Sequence, residues 1–231
     1  MNRRNLLLAL AAAGLDLKAQ DPPPGSLYIP KPHLVEDRQF LQSFMDEFAF
    51  ADLVTASPDI RITHIPTVID RGALPYGTVF GHISRQNAQS RCFDGRQPAV
   101  IVFRGPHSYI SPTWYNKPEA VPTWNFAVVH ATGRLKPIAD PKALHALLAQ
   151  LIAKFEGPGS SYEFARLPES YVSGMLGGII GFEMQIELLE GKFKLGQERS
   201  EADRQSILKN LQAAKPPRSI YELTAEFYKR G

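Results

Sequence analysis

Residues 105–133, GPHSYISPTWYNKPEAVPTWNFAVVHATG, gather the side chains best suited to chemistry in this chain. Both tryptophans, Trp114 and Trp124, lie here beside Tyr109, Tyr115, Phe126, His107 and His130. Ser111, Thr113 and Thr123 add hydroxyls. Flat aromatic faces stack on a planar ring, while hydroxyls and imidazoles fix its orientation. Pro112, Pro118 and Pro122 stiffen the segment, so its side chains lose little freedom on binding. The bland reading stands beside this one: aromatics are common in β cores, and Ser-Pro and Val-Pro are ordinary turn signals.

Two further segments carry groups for an anion. GHISRQN, residues 81–87, ends a strand-like run with Ser84, Arg85 and Asn87, a set able to hold a phosphate monoester or to form a polar hairpin tip. GKFKLGQERS, residues 191–200, places Lys192 and Lys194 on one face of an extended run, with Gln197 and Arg199 following. That pattern fits an anion, or a solvated edge strand guarded by lysines. Taken together, the three segments offer a stacking platform and a cationic end, the two things a flavin mononucleotide needs.

Other chemistries find less support. The sequence has no GxGxxG, no GxxxxGK[ST] and no GxSxG. His64, His82, His107 and His130 are able to gather on a metal or haem, but no HxH or HExxH spacing marks a ligand set. Hydrogen-bonding roles in a core or pocket are the simpler expectation, and no metal site is expected. Cys92 is the single cysteine, which excludes an intrachain disulfide and a CxxC motif.

The elements that must position these residues are short strands with two clear helices. Apolar spacing predicts helices over 36–48 and 140–155, the second stopped by Gly157-Pro158-Gly159. Strand-like runs cover 51–56, 61–69, 77–83, 99–103, 124–135 and 178–189, separated by turn signals such as Asp94-Gly95. A last helical region starts at Ser200, where Asp203 imitates a capping box, and a further helix is expected over 220–228. Consecutive strands with short connections favour antiparallel pairing. The expected fold is α+β, an antiparallel barrel with peripheral helices.

The chain has 231 residues, 44% hydrophobic and 21% charged, as in an ordinary soluble globular protein. A net charge of +3 and no dense basic run outside the ends give no electrostatic footprint for nucleic acid. Residues 1–20 place Arg3-Arg4 before an apolar stretch and reach Ala19, as in a twin-arginine-like export signal; a cytoplasmic leader is the alternative. The stretch is too short for a permanent membrane anchor. A proline-rich linker, 21–26, leads into a domain over 27–213 and a C-terminal helical extension, 214–231.

The segments LYIPKP, THIP, GHISRQN, FRGPHSYISPTWY, VPTWNFAVVHATG, GFEMQI and GKFKLGQERS occur in order between residues 27 and 200. In this the chain resembles the PaiB-type family of FMN-binding negative transcriptional regulators. The resemblance implies a split β-barrel that binds FMN at a homodimer interface. It further implies that Ser84, Arg85, Lys192 and Lys194 hold the phosphate end. His64, Pro66, His82, Asn87 and Gln197 contact the ribityl chain or flavin edge, and Ser111, Trp114, Thr123 and Trp124 line the ring. No residue is assigned as a catalytic acid or base. The fold leaves three roles open: flavin-dependent reduction or electron transfer, regulation through DNA or a partner, and haem binding. The chain departs from the family pattern at Gly196, where serine is usual, and at Glu198, where asparagine is usual. Glu198 either opposes a phosphate or points to solvent. Ser84 stands where alanine is common.

Overall fold

A computed structural model describes residues 27–213, apart from 57, 74, 117 and 118. The leader over 1–20, the linker over 21–26, Pro118 and the extension over 214–231 with its expected helix lie outside the described residues.

Strand β1 (Leu34–Val35) is short and precedes helix α1 (Arg38–Glu47). Asp37 caps α1 by accepting from the Phe40 N–H at 3.1 Å, and Leu41, Phe44 and Met45 form its buried stripe. Strands β2 (Phe50–Thr55) and β3 (Arg61–Pro66) pair antiparallel, with Asp52 opposite His64. The run expected as one strand over 61–69 is two. Thr67 is fully buried, and both its N–H and its hydroxyl donate to the Ala49 carbonyl at 2.9 Å. That anchor turns the chain out of the β2 ladder, so β4 (Val68–Asp70) pairs with β5 (Thr78–Ser84) instead.

Strands β6 (Pro98–Ile110), β7 (Thr123–Ile138) and β8 (Ile179–Lys194) are long. The strand expected over 99–103 runs on to Ile110, through a bulge between Arg104 and His107. A second bulge lies at Gly133, where a Cβ would meet the Gln185 carbonyl at 2.2 Å. The strand order is β3-β2-β6-β7-β8-β5-β4, with β1 beside the far end of β8. All pairings among the described residues are antiparallel.

Alternation sends Leu53, Ile65, Val79, Ile101, Phe103, Val129, Leu135, Phe182 and Met184 into one core. The sheet curls until β3 approaches β5. Polar side chains tie that seam. Asn87 donates to Thr63 Oγ1 at 2.9 Å, and buried Gln89 donates to the Leu53 carbonyl at 3.1 Å and to Thr55 Oγ1 and the Arg61 carbonyl at 3.2 Å. The result is the split barrel expected from sequence, with helices outside it.

Helix α2 (Pro141–Glu156), capped by Asp140, lays Leu144, Leu147 and Leu151 on the outer face of β4, β5 and β7, against Val68, Phe80 and Ile138. Gly181 permits this, since a Cβ there would meet Leu144 Cδ1 at 2.6 Å. Helix α3 (Glu169–Gly177) has no counterpart in the sequence reading. Its Ser and Gly residues are poor helix formers, and packing of Val172 and Leu176 on Leu148 and Phe164 stabilises it. Helix α4 (Glu201–Ala213) starts as the sequence implies, with the Asp203 N–H donating to Ser200 Oγ at 3.2 Å. The Asp203 carboxylate also accepts from the Asn116 N–H at 2.8 Å, tying α4 to the aromatic segment.

Candidate functional site

The ends of β6, β7 and β8 form an arm that carries the aromatic and cationic residues. On its outer face Phe126 opposes Lys194 and Val128 opposes Lys192. Lys194 Nζ donates to Thr123 Oγ1 at 2.5 Å. Lys192 Nζ donates to the Tyr28 carbonyl at 2.7 Å and lies 5.3 Å from the Tyr28 ring centre and 5.7 Å from that of Phe126. Trp124 is 52% exposed and meets Tyr109 edge-on at 5.9 Å, with His107 at 6.0 Å. An ammonium pair and an open indole face thus share one surface.

The electrostatics of this surface follow from partial burial and like charge. Burial and then Lys194 hold the Lys192 amine below its ordinary value. Burial and then Lys192 lower His130. Burial raises Glu190, against the opposing effect of the Leu27 N–H that donates to it at 2.9 Å. Two lysines two residues apart on one face of β8 concentrate positive charge there, which favours an anion.

Ser111 and Trp114 stand at the tip of the arm. Ser111 Oγ accepts from the Thr113 N–H at 3.2 Å and caps the short turn that carries Trp114. Arg199 stacks 4.5 Å over Tyr115 nearby. Gln197 is folded onto its own turn. Its Nε2 donates to the Phe193 carbonyl and its Oε1 accepts from the Leu195 N–H at 2.8 Å. This turn explains the two family departures. Gly196 has φ +79°, where glycine is favoured over serine. Glu198 lies 3.5 Å from both His33 Nε2 and Arg199 Nε, so its carboxylate has cationic or hydrogen-bonding company of its own.

A second group lies on β2, β3 and β6. Asp52 Oδ1 is 2.5 Å from His64 Nδ1, and Asp52 Oδ2 is 2.7 Å from Arg104 Nη2. The ladders align His64, Asp52, Val102, His130 and Glu190 in one row across the outer face. Pro66 stands opposite Phe50 at the end of β3. Asp52 and Arg104 were not singled out from sequence. The available signal was a charge at an outward position of an alternating strand, as in ADLVT.

The third group is at the end of β5. His82 opposes Gly181, burial pushes its pKa down, and its Nδ1 is buried without a partner among the described residues. Ser84 Oγ accepts from the Gln86 N–H at 3.3 Å. Arg85 Nε and Nη2 each donate at 2.9 Å, to the carbonyls of Gly177 and Ile179. Asn87 is spent on the barrel seam and on capping the turn at 88–92.

The structure therefore brings Lys192, Lys194, Thr123 and Trp124 together, with Ser111 and Trp114 at the tip. It does not bring Ser84 and Arg85 to the lysines within one chain. Ser84 pairs with Ile179, at the start of β8, while Lys192 and Lys194 end that strand. No cluster of metal-ligating side chains occurs among the described residues. No helix among them is long and apolar enough to cross a membrane.

Residues 27–188 match a family model described as "Putative FMN-binding domain". The chain belongs to this PaiB-type FMN-binding family. Family relatives include "Protease synthase and sporulation protein PAI 2" of Bacillus subtilis, 30% identical over 192 residues, covering 83% of this chain and 92% of the relative. Uncharacterized protein AN0679 of Emericella nidulans is 28% identical over 226 residues, covering 79% and 89%. The fold recurs in the flavocytochrome Anf3 of Azotobacter vinelandii, with TM-score 0.56, 16% identity, and coverage of 74% and 73%. It recurs also in an FAD- and haem-binding protein of Mycobacterium smegmatis, with TM-score 0.55, 15% identity, and coverage of 80% and 81%. FMN is the family's cofactor, and the residues present fit it. Lys192 and Lys194 suit a phosphate, Trp124 and Tyr109 suit a ring, and the buried Nδ1 of His82 awaits a hydrogen-bond partner.

Proposed function

We propose that two copies of this chain pair through the outer barrel face and hold FMN between them, one flavin per chain, for electron transfer or reduction of a small substrate. The observation that carries this reading is the division of the site. Lys192 and Lys194 end β8, whereas Ser84 and Arg85 lie beside its start, and a second chain can set one end against the other. The outer face of β2 and β3 around His64 supports it, since Phe50 is 68% exposed and Ile62 58%. Exposed apolar side chains on either side of the Asp52–His64–Arg104 cluster suit an interaction surface.

In this arrangement Lys192 and Lys194 bind the phosphate, and Arg85 of the other copy adds the donors that its two carbonyl bonds leave over. Trp124 stacks on the ring. Ser111, Trp114 and Thr123 orient it, while Pro66, His82, Ser84, Asn87 and Gln197 border the ribityl chain and ring edge. The bound flavin supplies the capacity to take up and pass on electrons. Asp52 orients the His64 ring through Nδ1 and leaves Nε2 as the nitrogen able to hold or move a proton beside it. Arg104 Nη2, 2.7 Å from Asp52 Oδ2, fixes the carboxylate in that orientation.

Titration of the purified protein with FMN, followed by the flavin absorption band, tests the reading. Saturation at one flavin per chain, and bleaching by a reduced nicotinamide, is expected. A haem band in place of the flavin band would favour the haem role that the names of two structural neighbours, a flavocytochrome and an FAD- and haem-binding protein, bring to mind. Regulation of transcription, which the family resemblance implies, is tested by salt-sensitive DNA binding of the same sample. Export through residues 1–20 is tested by the compartment and mass of the mature chain.

A further inference from the structure

Glu190, Lys192 and Lys194 end β8 on one outward face, alternating with buried Gly191 and Phe193. A carboxylate at that place opposes an incoming phosphate. It does not serve to pair with the lysines. Its Oε1 accepts from the Leu27 N–H at 2.9 Å. The next residue turns the contact back onto the cations: the Tyr28 carbonyl accepts from Lys192 Nζ at 2.7 Å. The Tyr28 ring, 55% exposed, stands 5.3 Å from the same ammonium, and the Phe126 ring of β7 stands 5.7 Å from it.

Residues 27–35 thus form a strap that meets Lys192 twice. Near its start Tyr28 holds Nζ, and at its end Leu34 of β1 pairs with the Lys192 backbone. Pro30 and Pro32 each fix a φ angle, and the His33 N–H closes the turn between them on the Pro30 carbonyl at 2.8 Å. A free lysine side chain samples many rotamers, and ordering them at the moment of binding lowers affinity. Here the strap orders Nζ beforehand. An ammonium has three N–H donors, so the Tyr28 carbonyl leaves two for a ligand.

We infer that Glu190 is a positioning residue: through the Leu27–Tyr28 strap it aims Lys192 at a phosphate monoester, so that the site selects FMN over unphosphorylated riboflavin. The inference rests on the proposed flavin reading, in which Lys192 binds the phosphate. A strap and a simple charge effect differ in sign. If only charge matters, removing the Glu190 carboxylate tightens binding of the phosphate. If the strap matters, Glu190→Ala loosens it, whereas Glu190→Gln keeps an acceptor for the Leu27 N–H and does not.

The test is fluorescence titration of the full chain and its variants with FMN and with riboflavin. The wild type is expected to prefer FMN roughly tenfold or more. Glu190→Ala loses about fivefold in FMN affinity and nothing for riboflavin, and Glu190→Gln binds FMN at least as tightly as the wild type. In a Lys192→Ala background Glu190→Ala costs nothing further, because the two act as one unit. Tyr28→Ala, at an exposed position outside the core, removes the ring above the ammonium and lowers the preference about two- to fivefold. A wild type that prefers FMN, with the preference unchanged or raised in Glu190→Ala and unchanged in Tyr28→Ala, overturns the strap and leaves the flavin reading standing. So does an equal loss of both ligands. A wild type that binds both flavins equally, or neither, removes the phosphate role of Lys192 and this inference with it.

Discussion

Arg85 and Lys192 stand at opposite ends of β8. The Arg85 N–H donates to the carbonyl of Gly178, just before the strand, and Lys192 lies near the strand's end, opposite Val128. At about 3.3 Å per residue the contour between them is roughly 40 Å, longer than one mononucleotide. Both are cationic, both lie in segments shared with the family, and β8 holds them at its two ends within one chain.

Pairing of two chains removes that difficulty, and it can be broken at a place remote from the cations. Ile62→Lys puts a charge at an exposed apolar position two residues from His64. The variant is expected to sediment as a monomer and to lose at least tenfold in FMN affinity, with unchanged far-ultraviolet circular dichroism. A monomer that binds FMN as tightly as the wild type contradicts the shared site.

On the arm, Lys194→Ala removes a charge-assisted bond to phosphate and Trp124→Ala removes the stacking face. Charge-assisted hydrogen bonds contribute about 1.5–3 kcal/mol, so Lys194→Ala is expected to weaken FMN binding roughly 10- to 100-fold. Trp124→Ala is expected to weaken it about tenfold, near the stacking value of 1–3 kcal/mol per base. Fluorescence titration of FMN measures both, and unchanged affinity in the two together removes the arm from the site.

In the proposed site Arg85 divides its donors between structure and ligand. Arg85→Lys keeps the charge but loses the planar fork that meets the carbonyls of Gly177 and Ile179. A melting temperature lower by about 2–4 °C is expected, from roughly 1 kcal/mol in a domain of this size. The FMN affinity falls less than in Lys194→Ala. Thermal unfolding followed by circular dichroism checks the first part.

Much of this fold can be read from periodicity. The alternation of Phe182, Met184 and Ile186 with Glu183, Gln185 and Glu187 marks β8, and the leucine stripe from Leu144 to Leu151 marks α2. Local signals mislead where packing overrides them. The strand expected over 99–103 passes through Gly105 in a bulge, where the glycine runs so close to Phe44 that a Cβ would stand 2.6 Å from its ring. The α3 segment lacks propensity and is held by Leu148 and Phe164. The site was legible as residue types and not as positions. Lys192 and Lys194 share a face by alternation alone. Nothing local tells that Asp52 meets His64 and Arg104 at once, since that depends on which strands flank β2.

Two imidazoles give the protein an acid limit. Burial lowers the pKa of His82 from 6.5, and burial with Lys192 nearby lowers that of His130 from the same value. The folded state thus binds fewer protons than the unfolded state below about pH 6.5. The stabilising contribution is fully present above that pH and is lost as pH falls toward the folded values. Denaturant midpoints should fall from pH 7 to pH 5, and less steeply in His82→Phe. An equal slope in the variant contradicts the assignment.

The central claim is an FMN site completed by two chains. Sedimentation velocity of the FMN-saturated protein, recorded in the flavin's visible absorption band, addresses it most directly. The expected result is one boundary at twice the chain mass of 25.7 kDa, carrying one flavin per chain. Flavin sedimenting with a single chain, or remaining free above the protein, would contradict it.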